Sequence, residues 1–162
     1  MSIEFFLFRA LKWILLIVFA ISLLFVYRGL PDPAAVHFDV DGQPDGFLPK
    51  TQIFYLLGGI VILFNILVGT VAKLVLKIPI SNEFLKSKGQ EEVRMVFSHF
   101  LNFFLVLLNS YAAYITRVLI MTNDSRTSDT DYSYLGSMGL VFVLIWLIYP
   151  IARIIFMPNK IS

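Results

Sequence analysis

The chain has 162 residues, 58% of them hydrophobic and 15% charged, with a mean hydropathy of +0.80. Soluble domains carry roughly 45–50% apolar and about 25% charged residues, and a chain this short has too little polar surface to cover the excess, so the composition is that of a membrane protein. A net charge of +2 and no cysteine exclude nucleic acid as a partner on charge grounds, together with disulfides, thiolate metal sites and cysteine nucleophiles.

Crossing about 30 Å of hydrocarbon takes about 20 helical residues. The first candidate span covers 5–27, with an uninterrupted apolar run from Trp13 to Ile21. Arg9 and Lys12 lie near its start, where long side chains snorkel to the headgroups. A basic start before an apolar run also suits a signal peptide, but Val26-Tyr27-Arg28 is no small-residue cleavage site, and a retained helix is expected.

Next comes a loop over 28–50, RGLPDPAAVHFDVDGQPDGFLPK. Pro31 and Pro33 force an extended exit from the first span. Val36, Phe38 and Val40 alternate with His37, Asp39 and Asp41, a period of two that predicts a short strand with the three polar residues on one face. Asp41-Gly42 and Asp45-Gly46 are turn dipeptides. His37, Asp39 and Asp41 are donor types suited to zinc or calcium, but a calcium loop counted from Asp39 puts Pro44 at the required glycine and Lys50 at the required glutamate. No metal and no cofactor are expected. The polar groups are expected to satisfy one another and the turns; spacing does not fix whether Lys50 pairs with Asp41 or Asp45.

The second span covers 53–76. A charged connector over 78–92, broken by Pro79, Ser81 and Gly89, has lipid headgroups as its default partner. The third span covers 93–120 and the fourth 135–157, where Pro150 is expected to kink or break the helix. The loop between them, 122–133, carries Asp124, Asp129 and Asp131, reads as a solvated connector, and includes the sequon Asn123-Asp124-Ser125. No internal repeat stands out. The predicted fold is all-α: a four-helix transmembrane bundle in one domain, 1–162, with a small extracytoplasmic cap holding a short strand.

With four spans, the side holding both termini carries Arg9, Lys12, Lys73, Lys77, Lys86, Lys88, Arg94, Arg153 and Lys160; the other carries Arg28, Lys50, Arg117 and Arg126. That asymmetry predicts cytoplasmic termini. Every Asp falls on the outer side and every Glu on the inner. Trp13, Tyr27, Tyr55, Tyr134 and Tyr149 suit an interfacial belt, and Arg117 and Arg153 suit anchors.

Small and polar residues mark helix contacts in lipid. On the second span Gly58, Asn65, Gly69 and Ala72 fall within about 60° of one another at roughly 100° per residue. On the third, Ser98, Asn102, Asn109 and Thr116 form one stripe, and the two stripes are expected to pack together. A polar path through the bundle is the sharper alternative, though no carboxylate sits at mid-membrane depth. His99, about 9 Å along the helix from Val93 at roughly 1.5 Å per residue, is expected to be a hydrogen-bonded histidine near the membrane interface.

The loop also resembles a known pattern. Leu30-Pro31, His37-Phe38, Gly42, Pro44-Asp45-Gly46 and Lys50 are similar, at the same spacings, to the extracytoplasmic loop of the bacterial domain of unknown function that begins the SdpI-type immunity proteins. Ala35 stands where that pattern has a second proline, for which Pro33 is the candidate substitute, and Asp39 where it has Asn. The resemblance implies a multi-pass protein of the bacterial inner membrane; its best-known branch confers immunity to a secreted toxin and relays toxin binding to a membrane-bound repressor. That branch has six helices, and this chain has room for four.

No catalytic constellation is present: no singled-out Ser-His-Asp set, no paired intramembrane carboxylates, no glycine-rich phosphate loop. The expected function is non-enzymatic, with the loop residues His37, Phe38, Asp39, Asp41, Gly42, Asp45, Gly46 and Lys50 recognising a membrane or periplasmic protein, as an immunity or sensing protein would. The alternatives are an accessory subunit of a larger membrane complex and a small-molecule transporter. The bilayer is the remaining partner, and the sequence specifies no oligomeric state.

Overall fold

The computed structural model describes residues 3–124 and 134–158, leaving aside the side chains of 4, 5 and 134–136. Asp129, Asp131, Arg126, Lys160 and the Tyr134 side chain therefore lie outside the described residues, as does Ser125 of the sequon. Five helices and a two-stranded sheet are described: α1 (Ile3–Gly29), β1 (Ala34–Phe38), β2 (Pro44–Leu48), α2 (Lys50–Leu74), α3 (Glu83–Ser87), α4 (Gln90–Thr122) and α5 (Tyr134–Ile155). A 3-10 turn, Val75–Lys77, extends α2. Four of the helices, α1, α2, α4 and α5, are long and apolar enough to cross a membrane, and the four expected spans fall on them. The fold is thus a helical membrane-type bundle with a small antiparallel hairpin between the first two spans.

Helix α4 is the centre of the bundle. It packs most extensively on α1, then on α2 and α5. Burial follows that order: 28% of its apolar window is covered, against 6% for α5, so most of the remaining apolar surface faces outward, as lipid requires. At about 1.5 Å per residue its 33 residues span roughly 50 Å, more than a hydrocarbon core. Its first turn, with Glu91 and Glu92, is accordingly polar, and the acids suit the positive end of the helix.

Between α1, α2 and α4 lie two apolar clusters. Phe19, Leu23, Val61 and Ala112 form one. Val26, Leu30, Ala34 and Ile53 form the other, beneath the hairpin, with Leu48 and Leu119 against them. Gly58 allows α1 to approach α2: a Cβ there would lie 3.2 Å from Leu23 Cδ2. An aromatic cluster ties α1 and α5 to α4 near the end that carries the termini. Phe8 lies 5.5 Å from Phe103 and 6.1 Å from Tyr149 between ring centres, and Trp146 stacks on Phe100 at 4.3 Å. Trp146 Nε1 also donates to the Phe100 carbonyl at 2.9 Å, so the indole's one polar atom is satisfied.

Three expectations change. Of the kink or break expected at Pro150, the break does not occur, since helix α5 runs through it; the proline removes one backbone donor, and one lost bond does not end the helix. Tyr149 packs against Phe8 and Phe103 instead of joining an interfacial belt. In the connector over 78–92, Lys88 is not a solvated charge. It is 8% exposed, and its Nζ donates to the Met157 carbonyl at 2.8 Å, fastening the exit of α5 where carbonyls lack helical partners. Arg94 Nε holds the same connector through the Ile78 carbonyl at 2.7 Å.

Candidate functional site

The hairpin begins from a chain that leaves α1 at Gly29 and re-enters the bundle at Lys50. An isolated two-stranded hairpin is marginal in water, so its order depends on what holds it. Asn123, the residue that ends α4, supplies one clamp. Its Oδ1 accepts from the Ala35 N–H at 2.8 Å, and its Nδ2 donates to the Ala35 carbonyl at 2.9 Å and to Leu119 at 2.9 Å. A side-chain amide thus takes the place of a third strand beside β1. Asp32 supplies a second clamp: its Oδ1 accepts from the Lys50 N–H at 3.3 Å, capping α2 from a distance where Pro49 offers no side-chain cap. The apolar cluster around Val26, Leu30 and Ala34 is the third.

Pairing within the hairpin runs Ala34 to Leu48, Ala35 to Phe47, His37 to Gly46 and Phe38 to Pro44, with two register shifts. Val36 on one strand and Asp45 on the other are the unpaired extra residues, two bulges that offset each other. This breaks the predicted period of two. Val36 turns outward, and Asp45-Gly46 is strand, not turn. Gly46 is needed for a close approach, since a Cβ there would lie 2.7 Å from His37 Cβ.

The connection over 39–43 is built by Asp39. Its Oδ1 accepts from the N–H groups of Asp41 at 3.0 Å and Gln43 at 2.7 Å, an Asx arrangement, and Gly42 adopts φ +77°, where glycine pays no Cβ penalty. Asp39 and Asp41 therefore belong to the turn and share no strand face with His37. The His37 Nδ1 pairs instead with Asp45 Oδ1 across the strands. With side chains 71% and 47% exposed, that pair orients two groups more than it stabilises the fold. Lys50 does not pair with Asp41 or Asp45; its Nζ lies 5.6 Å from the Tyr27 ring centre, a cation–π contact. Among the described residues no three His, Asp or Glu side chains converge as a metal site would require.

The hairpin presents three apolar side chains outward among exposed polar ones, His37, Asp39, Asp41, Gln43 and Asp45. Val40 is fully exposed at the tip, Phe47 is 53% exposed and Val36 38%, around the His37–Asp45 pair. Phe38 is half-buried.

The helix stripes meet through one amide pair. Asn65 Nδ2 donates to Asn109 Oδ1 at 2.7 Å, and Asn109 Nδ2 donates back to Asn65 Oδ1 at 3.2 Å. The second hydrogens go to the Val61 carbonyl at 2.9 Å and the Lys12 carbonyl at 3.1 Å, so all four amide hydrogens are used. Gly69 faces Leu105 of α4, whereas Gly58 faces α1. Asn102 donates to the Ser98 carbonyl at 2.8 Å, Thr116 to Ala113 at 2.6 Å, and Ser98 is buried; these are contacts within α4. His99 is buried against Phe8, ring centres 6.0 Å apart.

Lys12 departs from the snorkelling expectation. Its Nζ turns into the bundle, donates to Asn102 Oδ1 at 3.3 Å and lies 5.3 Å from the Trp13 ring centre. Neither Lys12 nor Asn123 announces its role in the sequence, because both contacts join residues about ninety positions apart.

A family model described as a domain of unknown function (DUF1648) matches residues 13–62, the stretch that holds most of α1, the hairpin and the first half of α2. No curated protein and no solved structure matches the chain.

Proposed function

We propose that the chain is a non-enzymatic, multi-pass protein of the bacterial inner membrane, with cytoplasmic termini, whose outer hairpin recognises a protein partner. One observation carries this reading. The hairpin is fixed by Asn123, Asp32 and a buried apolar cluster, yet it holds Val36, Val40 and Phe47 out into the solvent. A preorganised surface with apolar centres beside a His–Asp pair has the features that a partner's groove engages at low entropic cost. The charge asymmetry of the sequence supports the orientation. Immunity or sensing of the SdpI type is the concrete form of the reading and rests on the loop resemblance. The mutual satisfaction of Asn65 and Asn109 favours a packing role for those residues over a transport path.

The test places a photo-crosslinking amino acid at Val40 or Phe47 in living cells, with lipid-facing Ile60 as the control. A discrete protein adduct at the hairpin positions alone, weakened by His37→Ala or Asp45→Ala at unchanged membrane levels, is the expected result. Lipid adducts only, or protein adducts indifferent to both alanine variants, would refute the recognition surface.

A further inference from the structure

Three cations meet along the seam between α1 and α2. Arg9 and Lys12 from the start of α1 and Lys73 from the last turn of α2 line a cavity of about 400 Å³ together with Asn65, Thr70 and Trp13. Among the described side chains none of the three is paired with a carboxylate. Lys12 donates to the neutral Asn102, and Arg9 and Lys73 are exposed. Like charges gathered beside hydrocarbon repel one another and lose hydration, a cost that an anion in their midst removes.

This cavity continues into a second one. Leu16 and Ile62 line both, and the second, of about 630 Å³, runs between Phe19 and Leu24 of α1 and Phe54 and Gly59 of α2. At Gly59 nothing lies within 4 Å of where a Cβ would stand, so the seam is open there. Counted from the cations, Leu16 lies about 6 Å and Leu24 about 18 Å beyond Lys12 at roughly 1.5 Å per residue, so the groove runs across the middle of a roughly 30 Å core. The seam is therefore cationic at the end bearing the termini and apolar from there through the middle of the membrane.

We infer that this seam binds an anionic glycerophospholipid, its phosphate among Arg9, Lys12 and Lys73 and an acyl chain along Leu16–Leu24. Charge complementarity selects the headgroup, as basic pockets between membrane helices do, and the apolar continuation selects a lipid over a soluble anion. A free phosphate would use the cations and leave the groove unfilled.

The test measures retention of phosphatidylglycerol and phosphatidylcholine by the delipidated full chain, offered at equal concentration, by native mass spectrometry. Phosphatidylglycerol is expected to be retained preferentially. Removal of two cations in Arg9→Gln/Lys73→Gln is expected to lower its retention about 30-fold, while Arg9→Lys/Lys73→Arg keeps it. Gly59→Leu, which fills the groove where there is room, is expected to weaken retention as well. Equal retention of the two lipids, or undiminished phosphatidylglycerol in both the glutamine and leucine variants, overturns the site. Displacement by millimolar inorganic phosphate, with Gly59→Leu behaving as the parent, overturns the lipid in favour of a soluble anion.

Discussion

The Asn65–Asn109 pair gives the bundle its most direct energetic test. Asn109 is fully buried at the middle of α4 and makes two bonds to Asn65 and one to the Lys12 carbonyl. Interhelical hydrogen bonds in membranes average about 0.6 kcal/mol and reach about 1.7, because the unfolded reference also finds partners. Two reciprocal bonds therefore predict a coupling of about 1–2 kcal/mol. Asn109→Ala also loses the link to α1 and the packing of a buried side chain, for a total of about 2–3 kcal/mol. Half-buried Asn65, which keeps no other interhelical bond, is expected to cost about 1–2 kcal/mol as alanine. The double variant should then fall short of the sum by the coupling. Reversible unfolding in mixed micelles, followed by Trp146 fluorescence in a Trp13→Phe background, reports on it, since Trp146 is stacked on Phe100 of α4, the helix of Asn109. A shortfall under about 0.5 kcal/mol, the scatter of independent sites, would refute the reciprocal pair. Replacing both by leucine is expected to be far milder than Asn109→Ala alone, because removing both polar groups leaves no orphan.

Asn123→Ala and Ala35→Pro each remove bonds between α4 and β1, and each is expected to lower local protection of residues 34–48 by about 1–3 kcal/mol in hydrogen exchange, with the helices unchanged; equal protection in both variants would mean the clamp holds nothing. Gly46→Ala forces a Cβ to within 2.7 Å of His37 Cβ and should shift the hairpin at a cost of about 1–3 kcal/mol, read as altered His37 resonances, whereas Gly29→Ala meets nothing within 4 Å and should leave those resonances in place. Lys88→Met keeps the buried stem and removes the ammonium from the Met157 carbonyl; at about 1.5–3 kcal/mol for a charged hydrogen bond, labelling of a single cysteine at Met157, unambiguous in a chain without cysteine, should accelerate at least about tenfold.

The four spans were legible because apolar run length is a local property of sequence, and one short strand with a turn at Asp41-Gly42 was legible in the loop, whereas the second strand over Pro44–Leu48, which completes the hairpin, was not. Its register was not. Two offsetting bulges leave the residue count of the hairpin unchanged, so nothing in the spacing marks Val36 and Asp45 as the unpaired positions. Snorkelling failed for Lys12 because Asn102 of α4 offers an acceptor inside the bundle. The same holds for Lys88, whose acceptor is a carbonyl beyond the end of a distant helix. In each case the deciding partner lies on another element, and local pattern carries no information about it.

The matched stretch 13–62 holds the hairpin but not what fixes it. Asn123 and Leu119, which pin β1 and close the cluster beneath it, come from α4, as does Asn109, the partner of Asn65 just past the match. Helices α1 and α2 touch each other far less than either touches α4, and the seam left between them is the open groove of the further inference. This hairpin is therefore held by a third helix, α4, whose end reaches the first strand. Here a side-chain amide bonds the Ala35 N–H, which a proline at that position lacks.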